Sequence, residues 1–524
     1  MGRLIIFGFV LLSLFFAVVM IVWFPLTFLV LLCMGILVIG TYDLCQKKHT
    51  ILRNFPVIGH LRYILESIRP EIQQYFINND RSDRPFNREI RSIVYQRAKK
   101  VLDTVPFGTQ HEWGVTGYES IRHSLAPTHL QEEESRIWVG GPQCSQPYFA
   151  SRLNISAMSY GALSKNAILA LNKGAKLGGF AHNTGEGGLS PYHLEGGGDL
   201  IWQLGTANFG ARTPEGRLDP QLFQQRASLP QVKMIEIKLS QGAKPSHGGI
   251  LPAVKVSKEI AEIRGVPLGK DCISPPTNPE FSTPLELLHF IARLRELSGG
   301  KPVGFKLCVG LHREFLGICK AMLESGILPD FITVDGAEGG TGAAPLEFAD
   351  YVGEMLEDGL VFVRNALVGC GLREQIRIIA SGKVATGFDM IHKLALGADL
   401  CNSARAMMFA LGCIQSLQCN RNTCPTGVTT QNPRLMHGLV VEDKYVRVAN
   451  YHEATIDSFL ELASAMGIHH LKDITPEHVY KRTSQDKNIA YSQVHRFLEP
   501  LELLGKNIPE EFKKSWALAS ASHF

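Results

Sequence analysis

The sequence predicts an α/β fold, a (β/α)8 barrel preceded by a hydrophobic N-terminal segment. Short apolar runs that end in Gly, Ser, Asn or Asp alternate with amphipathic stretches. Eight such runs fall within about 250 residues, the usual length of this barrel. Glycines cluster at the ends of the runs. A doubly wound open sheet is the competing fold, but it needs no eighth strand.

The N-terminal segment has the composition of a membrane anchor. The chain carries no charge from Leu4 to Gly40, and Pro25 is the one probable helix breaker there. About 20 apolar residues cross a bilayer core, so Leu4–Trp23 is long enough and Leu26–Gly40 is marginal. A cleavable signal has a shorter apolar region. We therefore predict a transmembrane hairpin over residues 1–45 that turns at Phe24-Pro25, with a single long tilted helix as the alternative.

Basic residues on both sides of this segment predict its orientation. Arg3 precedes it, and Lys47, Lys48 and Arg53 follow it. Short loops rich in Lys and Arg face the cytoplasm. For a hairpin, both flanks and the catalytic domain are then expected on the cytoplasmic side of the membrane.

The remaining chain divides by composition into three parts. Residues 46–149 are polar and rich in Arg, with helical patterns at Ile72–Ile77 and Asn87–Asp103, which predicts a helical adaptor. Residues 150–470 hold the barrel pattern, and residues 471–524 are predicted to be a helical extension. The net charge of +4 is small for 524 residues, and no basic stripe interleaved with aromatic residues indicates nucleic-acid binding.

Eight runs are predicted as strands, and four amphipathic stretches as helices between them. The strands are Leu153–Met158, Gly179–Asn183, Leu200–Leu204, Met234–Leu239, Pro302–Val309, Phe331–Asp335, Ile376–Ser381 and Asp399–Ser403. The helices are Ser164–Leu177, Pro284–Leu297, Arg313–Ser325 and Gly387–Leu396.

Five strand ends carry glycine-rich sequences with polar residues among the glycines. They read AMSYG (157–161), NTGEGG (183–188), KLSQGAK (238–244), VDGAEGGTG (334–342) and SGKVATG (381–387). Chemistry in such barrels is located at the carboxyl ends of strands. Glycine lets backbone amides approach a ligand closely, and a nest of amides binds phosphate or an anionic ring. Together, these loops predict a cofactor site.

The last two strand ends match the place where barrels of this kind bind phosphate. Ser381-Gly382-Lys383 follows the seventh run, and Ser403-Ala404-Arg405 follows the eighth. Backbone amides there, with charge from Lys383 or Arg405, are predicted to hold the phosphate of flavin mononucleotide (FMN).

Three cysteines lie close together after the barrel strands. Cys413, Cys419 and Cys424 are spaced C-x5-C-x4-C among polar loop residues. They could bind zinc, bind a cluster or be unligated. Structural zinc usually has four ligands and closer cysteine pairs. The eleven cysteines form no evenly spaced disulfide framework, which suggests a reducing compartment. A three-cysteine iron–sulfur cluster fits these residues best.

The cysteine loop completes a resemblance to a known family. The sequence from Cys413 to Gln431, C-x5-C-x4-C-P-x-G-V-x-T-Q, resembles the cluster loop of glutamate synthases. Five further motifs resemble the flavin domain of that family, in the same order. They are Ser156-Ala-Met-Ser-Tyr-Gly, Asn183-Thr-Gly-Glu-Gly-Gly, Lys238-x-x-Gln-Gly-Ala-Lys-Pro, Ile273-Ser-Pro-Pro and Asp335-Gly-x-x-Gly-Gly-Thr-Gly-Ala. The resemblance covers roughly residues 150–435, and residues 53–76 resemble the stand-alone, membrane-anchored members.

The resemblance implies an FMN barrel with a three-iron four-sulfur cluster; the same three thiols would also suit a four-iron form with a non-cysteine ligand. The implied reaction reduces 2-iminoglutarate, formed from 2-oxoglutarate and ammonia, to glutamate. The alternatives are an N-methylglutamate synthase-like activity and an electron-transfer subunit of a membrane redox complex.

The resemblance also implies roles for single residues. Lys238 would stabilise the negative charge of the reduced flavin, and Glu186 would handle protons or gate the site. Gln241 and Lys244 would bind the substrate. The implied flavin contacts are Ala157, Met158, Ser159, which also assists catalysis, Asp335, Gly336, Gly339 and Gly340.

The sequence departs from the large enzymes of that family in three places, one of which is the expected absence of their long helical-repeat domain, since only about ninety residues follow Gln431. Position 2 is Gly where their glutaminase domain begins with a catalytic cysteine, so no glutaminase domain is expected in this chain. Thr277–Glu280 replaces a His-rich stretch. No G-x-G-x-x-G with its acidic partner indicates a dinucleotide fold. Electrons are therefore expected from a partner, such as ferredoxin or a membrane redox carrier.

Overall fold

A computed structural model describes residues 2–101 and 104–524, with side chains from Gly8 onward. The chain divides into two compact units, residues 1–88 and 89–524. In the first unit, one helix runs without interruption over Gly2–Cys45. It is followed by the helices Thr50–Asn54 and Gly59–Ile72 and by a π-helical turn, Gln73–Ile77.

The predicted turn at Phe24-Pro25 is wrong, because the helix continues through Pro25. Proline removes one backbone hydrogen bond from a helix, but long apolar helices tolerate it where side chains and local adjustments satisfy the freed groups. Two residues later, the Thr27 hydroxyl donates to the carbonyl oxygen of Trp23 at 2.7 Å. Over Gly8–Cys45 the helix is long and apolar enough to cross a membrane, by length and composition.

The second unit opens with elements that only partly match a helical adaptor. The helix Arg88–Lys99 corresponds to the predicted stretch 87–103, of which residues 102 and 103 lie outside the described residues. The prediction is wrong after this helix. Glu119–Ile121 is a strand, and Arg136–Val139 pairs with Tyr148–Ser151 in an antiparallel hairpin.

The predicted barrel is confirmed. Eight parallel strands form one closed sheet, in which each strand pairs with its neighbours along the chain and the eighth pairs with the first. The strands are β1 Leu153–Ile155, β2 His182–Asn183, β3 Leu200–Leu204, β4 Val232–Lys238, β5 Val303–Leu307, β6 Phe331–Asp335, β7 Arg377–Ser381 and β8 Leu400–Ser403.

Helices and short elements connect the strands and follow the barrel. The α-helices are Lys165–Gly178, Pro191–Glu195, Pro220–Ala227, Lys258–Arg264, Pro284–Leu297, His312–Ser325, Leu346–Tyr351, Leu356–Gly369, Gly387–Ala395, Arg405–Leu411, Pro433–Met436 and Val441–Ala465. The predicted Pro284–Leu297 matches residue for residue, and Thr283 and Glu286 form its capping box. A two-stranded hairpin, Ile250–Leu251 with Cys272–Ile273, and a 3-10 turn, Ala253–Lys255, lie between β4 and β5.

The extension after residue 470 is not only helical as predicted. Val479–Arg482 and Asn488–Ala490 pair in an antiparallel hairpin, and Glu119–Ile121 joins it as a third strand. Val479 and Ala490 are buried at the open end of this hairpin, where Tyr480 pairs with Ala490. The helices Tyr491–Val494 and Glu510–Leu518 complete the chain.

The barrel interior is layered because alternate strand residues face inward. Near the strand starts, five barrel residues and the hairpin residues Val139 and Ala150 are among those that form an apolar cluster. The five are Ile201, Met234, Phe331, Ile379 and Leu400. Each large side chain buried in this way contributes roughly 1.5–3 kcal/mol. The hairpin therefore closes the amino end of the barrel, and the carboxyl end remains for chemistry.

Asp330 connects this closing hairpin to the barrel. Its carboxylate accepts the backbone N–H groups of Gly141 and Val303, each at 2.7 Å. The same carboxylate pairs with Arg295 at 2.9 Å, and both side chains are buried. One carboxylate thus joins the hairpin, β5 and the helix Pro284–Leu297.

We expect Asp330→Ala to lower the free energy of unfolding by about 3–5 kcal/mol, because it leaves the Arg295 charge buried without its partner. Denaturant titration of the detergent-solubilised protein, followed by tryptophan fluorescence, measures the loss. The double substitution Asp330→Ala with Arg295→Met is expected to recover part of it. A single variant as stable as the parent would show that the pair is unimportant.

Candidate functional site

The glycine-rich loops meet at the carboxyl end of the barrel. Gly242, after β4, packs so tightly that an added Cβ would lie 1.7 Å from the Gly336 carbonyl oxygen after β6. Gly185, after β2, would place a Cβ 2.8 Å from the backbone nitrogen of Ser159 after β1. These glycines are needed because backbone from one loop occupies the space of a side chain on another.

Glu186, Lys238 and Gln241 form a bonded set at the centre of this end. The Lys238 ammonium lies 3.0 Å from a Glu186 carboxylate oxygen and donates to Gln241 Oε1 at 2.6 Å. Gly249 gives Glu186 its space, because a Cβ there would lie 2.4 Å from Oε1. Burial alone would raise the pKa of Glu186, but Lys238, with smaller contributions from other nearby cations, outweighs it and lowers the pKa. Glu186 is therefore an ionised carboxylate.

Lys244 and Arg264 add two further cations to the site. Lys244 is buried, and its ammonium donates to the Ala343 carbonyl oxygen at 2.8 Å. Burial lowers its pKa to about 8, against the opposing effect of Glu186. Arg264 is also buried and donates to the Tyr160 carbonyl oxygen at 3.0 Å, with Ser159 Oγ at 3.5 Å. With Lys238, three cations surround one carboxylate.

A buried polar network inside the barrel supports this site from below. Glu236 accepts hydrogen bonds from Asn183, Gln203 and Thr333 at 2.6–2.8 Å. Lys306 lies 3.2 Å from Asp335, whose carboxylate also accepts the backbone N–H of Gly242. Burial acts to lower the pKa of Lys306, but Asp335 and Glu236 raise it overall.

Asp335, predicted as a flavin contact, is therefore bonded to Lys306 and to the loop after β4. Both of these contacts are made by one carboxylate oxygen, Oδ2. That bond fixes the position of the KLSQGAK loop, which carries Gln241 and Lys244.

The structure brings the loops after β6, β7 and β8 together, as the phosphate-site prediction requires. Ser403 Oγ donates to the Val384 carbonyl oxygen at 2.6 Å, which joins the last two loops. Arg405 donates to the Glu338 carbonyl oxygen at 2.8 Å, and burial lowers its pKa to about 10. Gly382 has a φ of 149°, a backbone conformation that favours glycine.

The other predicted residues of these loops have distinct positions. The backbone of Gly336 donates to the Ser381 carbonyl oxygen at 3.0 Å and accepts from Gly339 at 2.8 Å. Gly340 packs on Arg405, where a Cβ would lie 2.8 Å from Nε. The Lys383 side chain is exposed, and Ala404 is half-buried at the start of the last barrel helix.

The upper barrel interior has groups that suit a flavin ring. Ser156 and Ser381 place their hydroxyl oxygens 3.4 Å apart. Asn402 is buried, and its Oδ1 has no hydrogen-bond partner among the described residues. A buried acceptor without a partner is costly, and a heteroaromatic N–H would satisfy it. Ala157 and Met158 border the same region from the loop after β1, where the Met158 N–H donates to Asn183. The residues present therefore fit FMN.

The three cysteines lie in a loop that holds non-glycine residues in the left-handed backbone region. Cys413 and Cys419 are partly exposed, Cys424 is buried, and none is in a disulfide. The non-glycine residues Gln415 and Leu417 have φ values of 58° and 56° within this loop. Such conformations persist where surrounding interactions hold them.

Cys413, Cys419 and Cys424 provide the thiols of the candidate metal centre. Zinc coordinated tetrahedrally by thiolates would bring their sulfur atoms to about 3.8 Å of one another. In the part of the chain that the structure describes, these thiols do not form a group with all ligand atoms within 4.8 Å. Three cysteine thiols within one loop are a donor set that fits an iron–sulfur cluster.

Side chains connect the cysteine loop to the loop after β1. Gln431 donates to the carbonyl oxygens of Gly161 and Leu163 at 3.1 and 2.8 Å. Lys255 donates to the carbonyl oxygens of Ala162 and Cys419 at 2.5 and 3.3 Å. The two candidate cofactor regions are therefore held next to each other by direct hydrogen bonds.

Sequence reasoning missed Arg264, Lys255, Glu236 and Lys306. Glu236 and Lys306 gave a signal, since each is a charged residue inside an apolar strand run. Such a charge needs a buried partner. Arg264 and Lys255 lie in a long β4–β5 connection without a motif, so nothing local distinguished them from exposed charges.

Comparison with known proteins agrees with this site. A family model described as the conserved region in glutamate synthase matches residues 118–469. The glutamate synthase large subunit-like protein YerD of Bacillus subtilis is 40% identical over 495 residues, which cover 86% of this chain and 94% of YerD.

Two further relatives are archaeal-type enzymes. The archaeal-type glutamate synthase (NADPH) of Thermotoga neapolitana is 34% identical over 320 residues, covering 61% of this chain and 60% of that protein. The archaeal glutamate synthase (NADPH) of Methanocaldococcus jannaschii is 36% identical over 321 residues, with the same coverage of 61% and 60%. This chain thus spans nearly all of YerD and about three fifths of these two enzymes. With a family model matched across most of its length, the chain belongs to the glutamate synthase family and is a glutamate synthase-like oxidoreductase acting on CH–NH2 donors.

Proposed function

We propose that this chain binds FMN at the carboxyl end of the barrel and an iron–sulfur cluster on Cys413, Cys419 and Cys424, and that it forms glutamate from 2-oxoglutarate and ammonia. The observation that carries the proposal is the arrangement of Lys238, Lys244 and Arg264 around the ionised Glu186. Three cations and one carboxylate suit a substrate with two carboxylates and one cationic nitrogen.

The cations would bind the two carboxylates of the substrate. Lys244 and Arg264 are buried, so a substrate carboxylate that enters would meet them in a region of low dielectric, where charge-assisted hydrogen bonds are strong. Both are fixed through bonds to backbone carbonyls. Their heads are therefore oriented before the substrate arrives, which reduces the entropy lost on binding.

Glu186 would bind the nitrogen of the substrate. 2-Oxoglutarate and ammonia condense with loss of water, and the resulting C=N bond takes up two electrons and two protons to give glutamate. A protonated imine nitrogen is cationic and donates hydrogen bonds, and the Glu186 carboxylate would accept one. Lys238, held between Glu186 and Gln241, would supply positive charge where negative charge develops during reduction.

Bound cofactors would supply the redox chemistry: FMN transfers a hydride to a C=N bond, and an iron–sulfur cluster delivers single electrons from an external donor. The residues that would hold FMN are those of the loops after β1, β6, β7 and β8. The electron donor would be a partner such as ferredoxin or a membrane redox carrier.

A membrane anchor would suit a donor that resides in the membrane. The helix Gly8–Cys45 is long and apolar enough to span a bilayer, and Lys47, Lys48 and Arg53 follow it in the sequence. Basic residues close to a span favour the cytoplasmic side. The second unit would then lie in the cytoplasm with a single span preceding it.

Anaerobic reoxidation of the dithionite-reduced, detergent-purified protein tests the proposed reaction. Flavin and cluster absorbance are followed together after addition of 2-oxoglutarate, ammonium or both, and glutamate is measured. Rapid reoxidation that needs both compounds and yields glutamate supports the proposal. Methylamine that replaces ammonium would instead favour N-methylglutamate synthesis. A flavin that stays reduced after every addition would favour an electron-transfer subunit.

The pH dependence of catalysis should report the state of Lys244. Its ammonium form, present below a pKa of about 8, binds a carboxylate, and the neutral form does not. We therefore expect kcat/KM for 2-oxoglutarate to be level below that pH and to fall up to tenfold per pH unit above it. Lys244→Arg should remove this fall, because arginine remains charged. The same fall in the arginine variant would assign it to another group.

A further inference from the structure

Lys255 is a buried ammonium without a carboxylate partner. The residue is 2% exposed and lies in the 3-10 turn Ala253–Lys255. Its Nζ bonds to two backbone carbonyl oxygens, those of Ala162 and Cys419. Among the described residues, no Asp or Glu lies within ion-pair distance of it. Of the other buried lysines near the site, Lys238 and Lys306 each have a carboxylate within 3.2 Å, and Lys244 bonds to the Ala343 carbonyl oxygen.

A buried charge without a counter-charge is expensive, and two carbonyl dipoles offset only part of that cost. The thiols of Cys419 and Cys424 are close enough for their ionised forms to act electrostatically on Lys255. Those are two of the three cysteines that would hold the cluster. Thiolates bound to iron carry the negative charge that the site lacks.

We propose that Lys255 is the counter-cation of the cluster on Cys413, Cys419 and Cys424, and that its charge raises the reduction potential of that cluster. This inference rests on the proposed cluster. Reduction adds one negative charge, and a nearby cation in a region of low dielectric stabilises the reduced form more than the oxidised form. Lys255 is a positioning residue in this role, since it contacts backbone and not the thiols.

The position of Lys255 gives this charge a functional use. Its second bond, to Ala162, reaches the loop after β1 that borders the proposed flavin. The same ammonium thus lies between the two proposed redox centres. A higher cluster potential favours electron acceptance from the donor, and the fixed contact keeps the two centres at a constant separation.

The test is an EPR-monitored redox titration of the full-length, detergent-purified protein, with iron and flavin content measured in parallel. Lys255→Met should move the cluster midpoint to a more negative potential while iron content stays near that of the parent. Lys255→Gln, which keeps a donor but not the charge, should move it in the same direction. Lys258→Met is the matched control, because its side chain is 85% exposed and belongs to the same connection.

The outcomes separate this inference from the proposed function. A parent protein without an iron–sulfur signal would refute the cluster itself. A normal signal with an unchanged midpoint in Lys255→Gln or Lys255→Met would overturn only the role of Lys255. If both neutral variants lose iron, Lys255→Arg decides: retained iron supports a requirement for charge, and lost iron contradicts it.

Discussion

Replacing Cys413, Cys419 or Cys424 with serine is expected to remove the iron–sulfur signal while flavin is largely retained. A serine hydroxyl is a poor iron ligand, because it stays protonated where a thiol ionises. Because the cluster would have only three cysteine ligands, the loss of any one of them should be sufficient to prevent cluster binding. Turnover with a one-electron donor should fall below detection. Iron analysis, EPR and flavin fluorescence of each purified variant measure these effects.

Cys144→Ser is the control for this series. Cys144 is partly exposed like Cys413 and Cys419, but it lies near Gly300 at the other end of the barrel. Its substitution should leave iron and turnover unchanged. Iron retained in all three loop variants would contradict the cluster assignment, and loss of flavin together with iron would indicate that the loop supports the fold of the flavin site.

Lys244→Met is expected to lower kcat/KM for 2-oxoglutarate by about 10²–10³-fold, with flavin and iron content unchanged. Removing one partner of a buried charge pair costs 2–5 kcal/mol, and each 1.36 kcal/mol is a factor of ten. Methionine preserves most of the buried volume, so the loss should reflect charge. Steady-state kinetics with a constant electron donor measures it.

Lys244→Arg keeps the positive charge but changes the shape of the side chain. Its kcat/KM for 2-oxoglutarate should stay within about tenfold of that of the parent. Full activity in Lys244→Met would contradict a substrate cation at this position and would favour the electron-transfer role. A loss of flavin in the methionine variant would point instead to the loop after β4 as part of the cofactor site, since Lys244 is bonded to Ala343.

Local pattern was enough to predict the barrel. Each strand is an apolar run whose residues alternate between the interior and the surrounding helices, and that alternation is set by the backbone. The strand bounds differ from the predicted ones by at most three residues, as for β1 and β2. The glycine clusters could also be recognised from the sequence, because only glycine allows two backbone segments to approach each other so closely.

Predictions from the local sequence pattern were wrong where the structure of a segment depends on residues far away in the chain. Pro25 predicted a turn, but the helix Gly2–Cys45 continues through it. The strands at Val479–Arg482 and Asn488–Ala490 depend on Glu119–Ile121, which lies more than 300 residues earlier. Strands of three or four residues are too short to show a clear hydrophobic periodicity in the sequence, so only their pairing identifies them.

The sequence by itself determined the barrel, the glycine-rich carboxyl end and the three-cysteine loop, because each depends on residue types at fixed local spacing. The tertiary structure alone decided which charges meet. It paired Glu186 with Lys238 and Asp335 with Lys306, brought Arg264 beside Ser159 and placed Lys255 against the cysteine loop. Such contacts depend on the closure of eight strands around one axis, which brings distant residues within a few ångströms, and no local spacing encodes that distance.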